Sequence, residues 1–194
     1  MSDIRSVCVY CGSSSHGPEN HRVAARQLGS LLAGNGIRLV FGGGHIGLMG
    51  VTADAALAAG GEVVGIIPDF LRDLELGHNG CTEMIVTDSM HSRKQKMAEL
   101  SDGFAILPGG LGTLDEAFEI ITWRQLGLHD KPIVIVDVDG YWQPLQALID
   151  QVTANNYMRP TDAPLFEFVG SIDEILPALR KAPAARQPVH SKWT

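Results

Sequence analysis

The sequence predicts an α/β protein of Rossmann-like type, with a doubly wound, mainly parallel sheet of six to seven strands and helices on both faces. Apolar segments bounded by glycine or proline alternate along the chain with segments of helical spacing. The apolar segments are rich in β-branched residues and too apolar for a sheet with one face in water. Strict alternation of such strands with helices therefore predicts a parallel sheet covered on both sides.

Seven strands and six helices are predicted in order along the chain. The strand segments are residues 4–10, 37–41, 63–67, 84–86, 104–107, 133–136 and 166–169. The helical segments are about residues 18–34, 47–60, 89–101, 113–127, 141–155 and 171–181. The long connection over residues 68–83 either covers a site or forms a surface loop. Ligands of doubly wound sheets bind beyond the carboxyl ends of the strands, so we expect the chemistry in the loops after each strand.

Length and composition limit the domain organisation and the classes of partner. With 194 residues and 45% hydrophobic content, the chain can bury one core, so we predict one domain over residues 1–181 and a disordered tail over 182–194. The formal charge of −7 argues against a nucleic-acid binder. No apolar segment reaches the roughly 20 residues of a membrane span, and the N-terminus lacks the features of a signal peptide. We expect a cytoplasmic protein without nucleic-acid or membrane partners.

The three cysteines, Cys8, Cys11 and Cys81, suit a reducing compartment. Cys8 and Cys11 have the spacing of a metal or redox pair, but no second CxxC accompanies them. We therefore expect no metal site.

Three glycine-rich loops each follow a predicted strand and precede a predicted helix. They are residues 11–15 (CGSSS), 42–47 (GGGHIG) and 108–113 (PGGLGT). Glycine lets a backbone approach an anion closely, and a helix N-terminus offers free N–H groups and a partial positive charge. Phosphate or a phosphorylated sugar is the expected ligand. Candidate contacts in the first two loops are Gly12, Ser13 and Gly43.

The second loop also matches a dinucleotide-binding fingerprint through Gly42, Gly44 and Gly47. The match follows the second strand instead of the first, and Asp69 lies beyond the spacing of about 20 residues expected of the acidic ribose partner. Dinucleotide binding therefore stays an alternative. The chain has no GxxxxGK[ST] motif, which excludes a P-loop nucleoside triphosphatase (NTPase).

Glu116 has two interpretations. Thr113 and Glu116 have the spacing of a capping box, in which Thr113 is the N-cap and Glu116 reaches back to its N–H. Glu116 also lies in the first turn of a helix beside the expected anion site, where a carboxylate can act in catalysis. The pattern favours neither interpretation over the other.

Arg93 interrupts the apolar stripe of the helix predicted to begin near residue 89. Met90, Met97 and Leu100 share its side of that helix. An arginine in such a stripe needs an anionic partner or a route to solvent, because an unpaired buried charge is costly. Arg93 is therefore a candidate for a site at the helix start.

The helix predicted to begin at Thr113 is apolar on two sides. The stripe that should face the sheet consists of Leu114, Ala117, Phe118 and Ile121. The other side carries Ile120 and Trp123. A helix that is apolar on both sides is often covered by a partner subunit, which predicts a homodimer, whereas a second contact within the chain is the alternative.

Two motifs in the middle of the chain are more specific than any single glycine loop. They are residues 90–94 (MHSRK) and 108–116 (PGGLGTLDE). Further matching segments are residues 9–14 (VYCGSS), 40–44 (VFGGG), 121–123 (ITW), 125–127 (QLG), 129–132 (HDKP) and 139–141 (DGY). In this combination the sequence resembles the LOG (Lonely Guy) family over nearly its whole length.

The resemblance implies a cytokinin riboside 5'-monophosphate phosphoribohydrolase. Such an enzyme hydrolyses the N-glycosidic bond of an N6-modified adenosine monophosphate, and often of AMP, to free base and ribose 5-phosphate. The resemblance implies that Arg93 and Glu116 are catalytic, that the protein is a dimer, and that no metal or cofactor takes part. The implied substrate-binding positions are Glu83, Arg93, Lys94, Gly109, Gly110, Gly112, Thr113 and Thr122, with Leu111 and Met90 as further candidates in the same motifs.

This chemistry agrees with the residues. Cleavage of an N-glycosidic bond builds positive charge on the ribose, so a carboxylate such as Glu116 can stabilise that charge and orient or deprotonate water. Arg93 either supports the departing base or binds the phosphate.

A non-catalytic carrier of a phosphorylated cofactor is the alternative function, although a carrier has no evident need for Glu116. Lysine decarboxylase, a label that related sequences have carried, requires pyridoxal phosphate on a lysine that cannot be assigned here.

Overall fold

The computed structural model describes residues 3–74, 76–158 and 165–181, and the tail predicted over residues 182–194 lies outside them. The strands are β1 (Ser6–Tyr10), β2 (Arg38–Phe41), β3 (Val63–Pro68), β4 (Glu83–Thr87), β5 (Gly103–Ile106), β6 (Ile133–Val136) and β7 (Glu167–Val169). The helices are α1 (Glu19–Gly34), α2 (Gly47–Ala58), α3 (Asp69–Asp73), α4 (Met90–Glu99), α5 (Leu111–Gln125), α6 (Gln143–Ala154) and α7 (Ile175–Leu179). All seven predicted strands are present.

The seven strands form one sheet in the order β4-β3-β2-β1-β5-β6-β7. Every pairing between neighbouring strands is parallel. The strand order reverses between β1 and β5, where a doubly wound sheet opens a crevice for ligands beyond the strand ends. The predicted fold class is confirmed.

Each face of the sheet buries its own apolar cluster. Along β1, Val7 and Val9 point into a cluster with residues of α1, α2 and α7, whereas Cys8 and Tyr10 point into a cluster with α4, α5 and α6. This alternation follows from the two-residue period of a strand. Helices cover both faces, as predicted, and the site lies at the edge where all seven strands end. None of the helices in the described part of the chain is long and apolar enough to cross a bilayer.

The start of α5 differs from the prediction. The helix begins at Leu111, so Thr113 lies inside its first turn, and the residue before the helix is Gly110, without a side-chain cap. The capping-box interpretation of Thr113 and Glu116 is therefore wrong. The reason is that the helix starts within the glycine-rich segment, two residues before the predicted start at Thr113. Glu116 is therefore not used as a capping residue.

The predicted orientation of α5 is also wrong in part. Ala117 and Ile120 pack in the core, whereas Phe118, which was expected to face the sheet, is 43% exposed. The buried stripe also contains the polar residues Thr113, Glu116 and Arg124. A prediction that assigns polar residues to the solvent side fails here because these three side chains point inward.

The connection predicted over residues 68–83 is shorter and more ordered than expected. It contains α3, and its last residue, Glu83, already belongs to β4. Gly77 pairs with Gly44 in an isolated antiparallel bridge, and the amide of His78 donates to the carbonyl of Gly43 (2.8 Å). Since these contacts attach the connection to the loop after β2, it covers the strand ends.

Candidate active site

A cavity of about 400 Å³ lies at the carboxyl ends of the central strands. The loops after β1, β2 and β5 form its walls together with the start of α4 and α5, and the connection after β3 covers it. All three predicted glycine loops therefore meet at one place. A cavity of this size is within the range that small-molecule ligands occupy.

The three glycine loops are held to one another by backbone contacts. The amide of Gly12 donates to the carbonyl of Pro108 (3.0 Å), and the amide of Leu48 donates to the carbonyl of Gly12 (2.9 Å). Gly47 has a φ of 68°, and a Cβ there would lie 2.5 Å from the carbonyl carbon of Ser13. Because glycine alone tolerates both conditions, this residue joins the first two loops closely. The contact also occupies one amide at the start of α2, which argues against a pyrophosphate at the dinucleotide fingerprint.

The third loop presents the N-terminus of α5 to the cavity. The first helical hydrogen bond runs from the amide of Leu114 to the carbonyl of Gly110 (3.0 Å), so the amides of residues 111–113 precede the helical hydrogen bonds. Gly110, Leu111, Gly112 and Thr113 all line the cavity. The hydroxyl of Tyr141 donates to the carbonyl of Gly109 (2.7 Å) and supports the loop from behind. These features make the loop suited to an anion such as phosphate.

Arg93 reaches the same cavity from α4, where its side chain is buried. Its Nε donates to the carbonyl of Ile66 (3.1 Å) and its Nη2 to the carbonyl of Gly42 (3.0 Å). A Cβ on Gly42 would lie 1.8 Å from that Nη2, so Gly42 makes room for the guanidinium. Two backbone carbonyls, one in β3 and one in the loop after β2, thus fix the direction of its remaining donors.

Glu116 also lines the cavity and lies next to Arg93. Its Oε1 lies 3.8 Å from Nη1 of Arg93, and the residue is 9% exposed. Burial raises the pKa of Glu116 to about 7, while the charge of Arg93 opposes this increase. A carboxyl group with a pKa near neutrality can exchange a proton under physiological conditions, which is a property of acid–base catalysts.

Two of the predicted substrate-binding residues lie away from this cavity. Glu83 is the first residue of β4, at the amino end of the sheet, and it is exposed. Four residues of strand, about 13 Å, separate it from the carboxyl end at Thr87, which is the physical reason that it does not reach the site. Thr122 is exposed on α5, more than a turn beyond Glu116, and does not line the cavity.

The other predicted residues lie at or near the cavity. Gly12, Ser13 and Met90 line it, whereas Gly43 is buried beneath it with a φ of 72°. Lys94 follows Arg93 on α4, but its ammonium group contacts carboxylates of α5.

Sequence reasoning missed the apolar wall of the cavity. This wall consists of Ile46, Met49, Ile67, Leu71 and Leu76. Leu71 and Leu76 belong to the connection after β3, and apolar residues in such a long connection are the signal that could have revealed them. Because the same cavity is also lined by Arg93, Glu116 and the start of α5, it suits a ligand that has both a charged part and an apolar part.

The cysteine pair does not form a site. Cys8 and Cys11 pack in the two different apolar clusters on opposite faces of the sheet, so the CxxC spacing does not bring the sulfurs together. Burial raises the pKa of both thiols well above the ordinary value. Among residues 3–74, 76–158 and 165–181, no three side chains are grouped as they would be to bind a metal ion.

The fold and the cavity define a Rossmann-like α/β protein whose nucleotide-sized site contains a buried arginine–glutamate pair. A family model described as "Possible lysine decarboxylase" matches residues 49–179. Cytokinin riboside 5'-monophosphate phosphoribohydrolase LOG5 of Arabidopsis thaliana is 43% identical over 198 residues, which cover 99% of this chain and 85% of that protein. LOG3 of the same plant is 40% identical over 191 residues, covering 98% and 89%. This chain belongs to the LOG family.

Solved structures with the same fold include proteins with another role. The molybdenum cofactor carrier protein of Chlamydomonas reinhardtii has a TM-score of 0.69 and 21% identity, with 92% of this chain and 98% of that chain covered. The molybdenum cofactor binding protein of Rippkaea orientalis has a TM-score of 0.68 and 21% identity, with 91% and 96% covered. At this level of identity the likeness shows the fold alone.

Proposed function

We propose that this protein hydrolyses the N-glycosidic bond of N6-modified adenosine 5'-monophosphates, and of AMP, to free base and ribose 5-phosphate. The observation that carries the proposal is the buried pair of Arg93 and Glu116, 3.8 Å apart, beside the N-terminus of α5. The names of the LOG relatives support the same reaction. A binding protein for phosphate alone would have no use for a carboxylate in this position.

Glu116 is the group that acts on the sugar in this proposal. As the base departs, positive charge develops on the ribose ring, and an ionised carboxylate close to the ring stabilises that charge. The same carboxylate can orient the attacking water and take its proton. With a pKa of about 7, Glu116 is ionised in much of the population at neutral pH and still basic enough to accept that proton.

The phosphate is held at the start of α5. The amides of residues 111–113 and the partial positive charge of the helix end attract a dianion. Glu116 lies five residues after the helix start, about 7 Å along the helix axis, which is comparable with the length of one sugar. Phosphate at the helix end therefore brings the ribose to the carboxylate, and the base extends toward the apolar wall.

Arg93 supports the leaving group or the phosphate. Two of its nitrogens donate to backbone carbonyls, so Nη1 is the one that faces Glu116 and the cavity. A fixed cation in this position stabilises negative charge that develops on the departing base and limits the pKa of Glu116. No metal or organic cofactor is required for these steps.

We expect the 5'-monophosphate to be hydrolysed and the free riboside to be inert. Loss of the phosphate removes the contacts with α5 that position the ribose, so kcat/KM for N6-isopentenyladenosine should fall by about 10³-fold or more. The measurement is chromatographic detection of free base after incubation with a panel of nucleosides and nucleoside monophosphates, including AMP. Equal rates on nucleotide and riboside would contradict the role of α5.

A phosphorylated-cofactor carrier is the second candidate, favoured by the fold shared with the molybdenum cofactor proteins. The same panel separates the two functions. Release of base from any monophosphate supports the hydrolase, whereas tight binding of nucleotides with no release from any of them supports the carrier.

We also propose a homodimer that buries the outer surface of α5 and the turn after it. Phe118 is 43% exposed, Leu126 44% and Leu128 69%, and these side chains would be covered by a second copy. The wild-type protein should sediment as a dimer, and the double substitution F118D/L128D should make it a monomer. The matched control is Tyr157→Asp, since Tyr157 is 86% exposed and lies outside this surface. A monomeric wild-type protein would contradict the proposal.

A further inference from the structure

Lys94 directly follows Arg93 but is directed toward different partners. Its Nζ lies 3.0 Å from Oδ2 of Asp115 and 3.1 Å from Oε2 of Glu119, both on α5. Its side chain is only 12% exposed. Two successive residues of α4 therefore contact α5 through charges: Arg93 contacts Glu116, and Lys94 contacts Asp115 and Glu119.

The carboxylates of α5 are crowded. Asp115, Glu116 and Glu119 lie within little more than one helical turn, so the charges of Asp115 and Glu119 oppose the ionisation of Glu116. Lys94 neutralises part of this negative charge. Partial burial alone lowers the pKa of Lys94, but its hydrogen bonds to Asp115 and Glu119 outweigh that effect and the pKa is raised. Lys94 thus stays charged through the neutral range.

We propose that Lys94 is a positioning residue, which joins α4 to α5 and keeps Glu116 ionised opposite Arg93, and that it is not a ligand of the nucleotide. This inference rests on the proposed hydrolase function. It differs from the substrate-binding role that the resemblance implies for Lys94. Its ammonium group already has two carboxylate partners, and the side chain is not among those that line the cavity.

The titration of Glu116 depends on every charged group around it. From α4 these groups are Arg93 and Lys94, and from its own helix they are Asp115 and Glu119. From the sheet, the Cys8, Tyr10 and Cys11 side chains also interact with Glu116. Burial raises the pKa of each of these three, so they stay neutral near pH 7 and add no charge. Lys94 is therefore one of two cations whose loss should raise the pKa of Glu116.

The test is the pH dependence of kcat/KM for N6-isopentenyladenosine monophosphate in four proteins. The acid limb is the part of the pH profile in which kcat/KM rises with pH as Glu116 ionises. In Lys94→Met, this limb should shift to a pH about one unit higher, so kcat/KM falls about tenfold at pH 6 and much less at pH 9. Lys94→Arg keeps the charge and should leave the limb in place. Removing the two acids as well, in K94M/D115N/E119Q, should return the limb to its wild-type position. The substrate phosphate titrates identically in all four, so differences belong to the enzyme.

A ligand role for Lys94 predicts another result. Loss of a phosphate contact would raise KM at every pH, leave the acid limb where it is, and would not be rescued by D115N/E119Q; this outcome overturns the proposal. If K94M does not fold, D115N/E119Q in the wild-type background must move the limb downward, and an unmoved limb overturns the proposal equally.

A second measurement keeps this inference separate from the proposed reaction. Carbon-13 NMR titration of the Glu116 carboxyl group in the free proteins reports its pKa without substrate, with E116Q used to assign the signal. An increase in K94M supports the positioning role even if no variant releases base, in which case only the hydrolase function fails. An unchanged Glu116 pKa in K94M overturns the inference even if the wild-type protein is active.

Discussion

Replacing Glu116 with glutamine should reduce release of base from N6-isopentenyladenosine monophosphate by about 10²–10⁴-fold or more, because the amide can neither carry negative charge nor accept a proton from water. The KM should change little, since the phosphate contacts at α5 remain. Steady-state kinetics with chromatographic detection of the base measures the effect. Glu19→Gln, which removes an exposed carboxylate from α1, is the matched control and should retain full activity. Retained turnover in E116Q would contradict the catalytic assignment.

The same substitution has a distinct effect on stability. The folded-state pKa of Glu116, about 7, lies above the ordinary value of 4.5, so the folded protein binds more protons than the unfolded chain between these pH values. Stability from this group is present below pH 4.5 and is lost as the pH rises through 7. The E116Q variant lacks this loss. The free energy of unfolding of E116Q, relative to that of the wild type, should therefore increase by about 1–3 kcal/mol between pH 5 and pH 8. The difference in thermal midpoint between the two proteins, measured at each pH, reports this increase.

Replacing Arg93 with lysine should reduce kcat/KM by about 10²–10³-fold and also destabilise the protein. A lysine cannot donate to the carbonyls of Ile66 and Gly42 while facing Glu116, because it lacks the planar fork of the guanidinium. Buried carbonyls left without donors should cost about 2–4 kcal/mol together. Kinetics and thermal unfolding measure the two effects, with Arg26→Lys on the exposed side of α1 as control.

The division of the R93K effect between kcat and KM identifies what Arg93 contacts. A lower kcat with unchanged KM indicates that Arg93 acts on the departing base, whereas a higher KM with unchanged kcat indicates the phosphate. A variant with wild-type values of both would contradict any role of Arg93 in the site.

The strands were predictable because buried parallel strands are continuous apolar segments, and the bounds of β6 agree with the prediction at both ends. The position of Arg93 was also anticipated, since a cation in an apolar stripe needs partners. The partners themselves were not predictable, because backbone carbonyls such as that of Gly42 carry no sequence signal. The helix start at Leu111 was misjudged because the threonine–glutamate spacing of a capping box also arises when both residues point into a site.

Two further differences concern where residues lie relative to the sheet. The resemblance implied a substrate-binding role for Glu83, but this residue begins β4 and therefore lies at the amino end of the sheet, opposite the edge that carries the cavity. Ile120 and Phe118 exchanged their expected sides because the polar stripe of α5 faces inward. Spacing alone specifies which residues share a side of a helix, whereas the identity of the buried side depends on contacts distant in sequence.

The hydrogen bonds of Arg93 to Ile66 of β3 and to Gly42, the residue directly after β2, join its side chain to the main chain of two adjacent strand ends. The position of the guanidinium is therefore tied to the register of β2 against β3, whereas the position of Glu116 depends on α5. A change of alignment within the sheet would move the guanidinium with it. Sequence variation on the outer surfaces of the helices, away from the ion pairs of Lys94, can thus accumulate without moving Arg93, as long as the central strands keep their alignment.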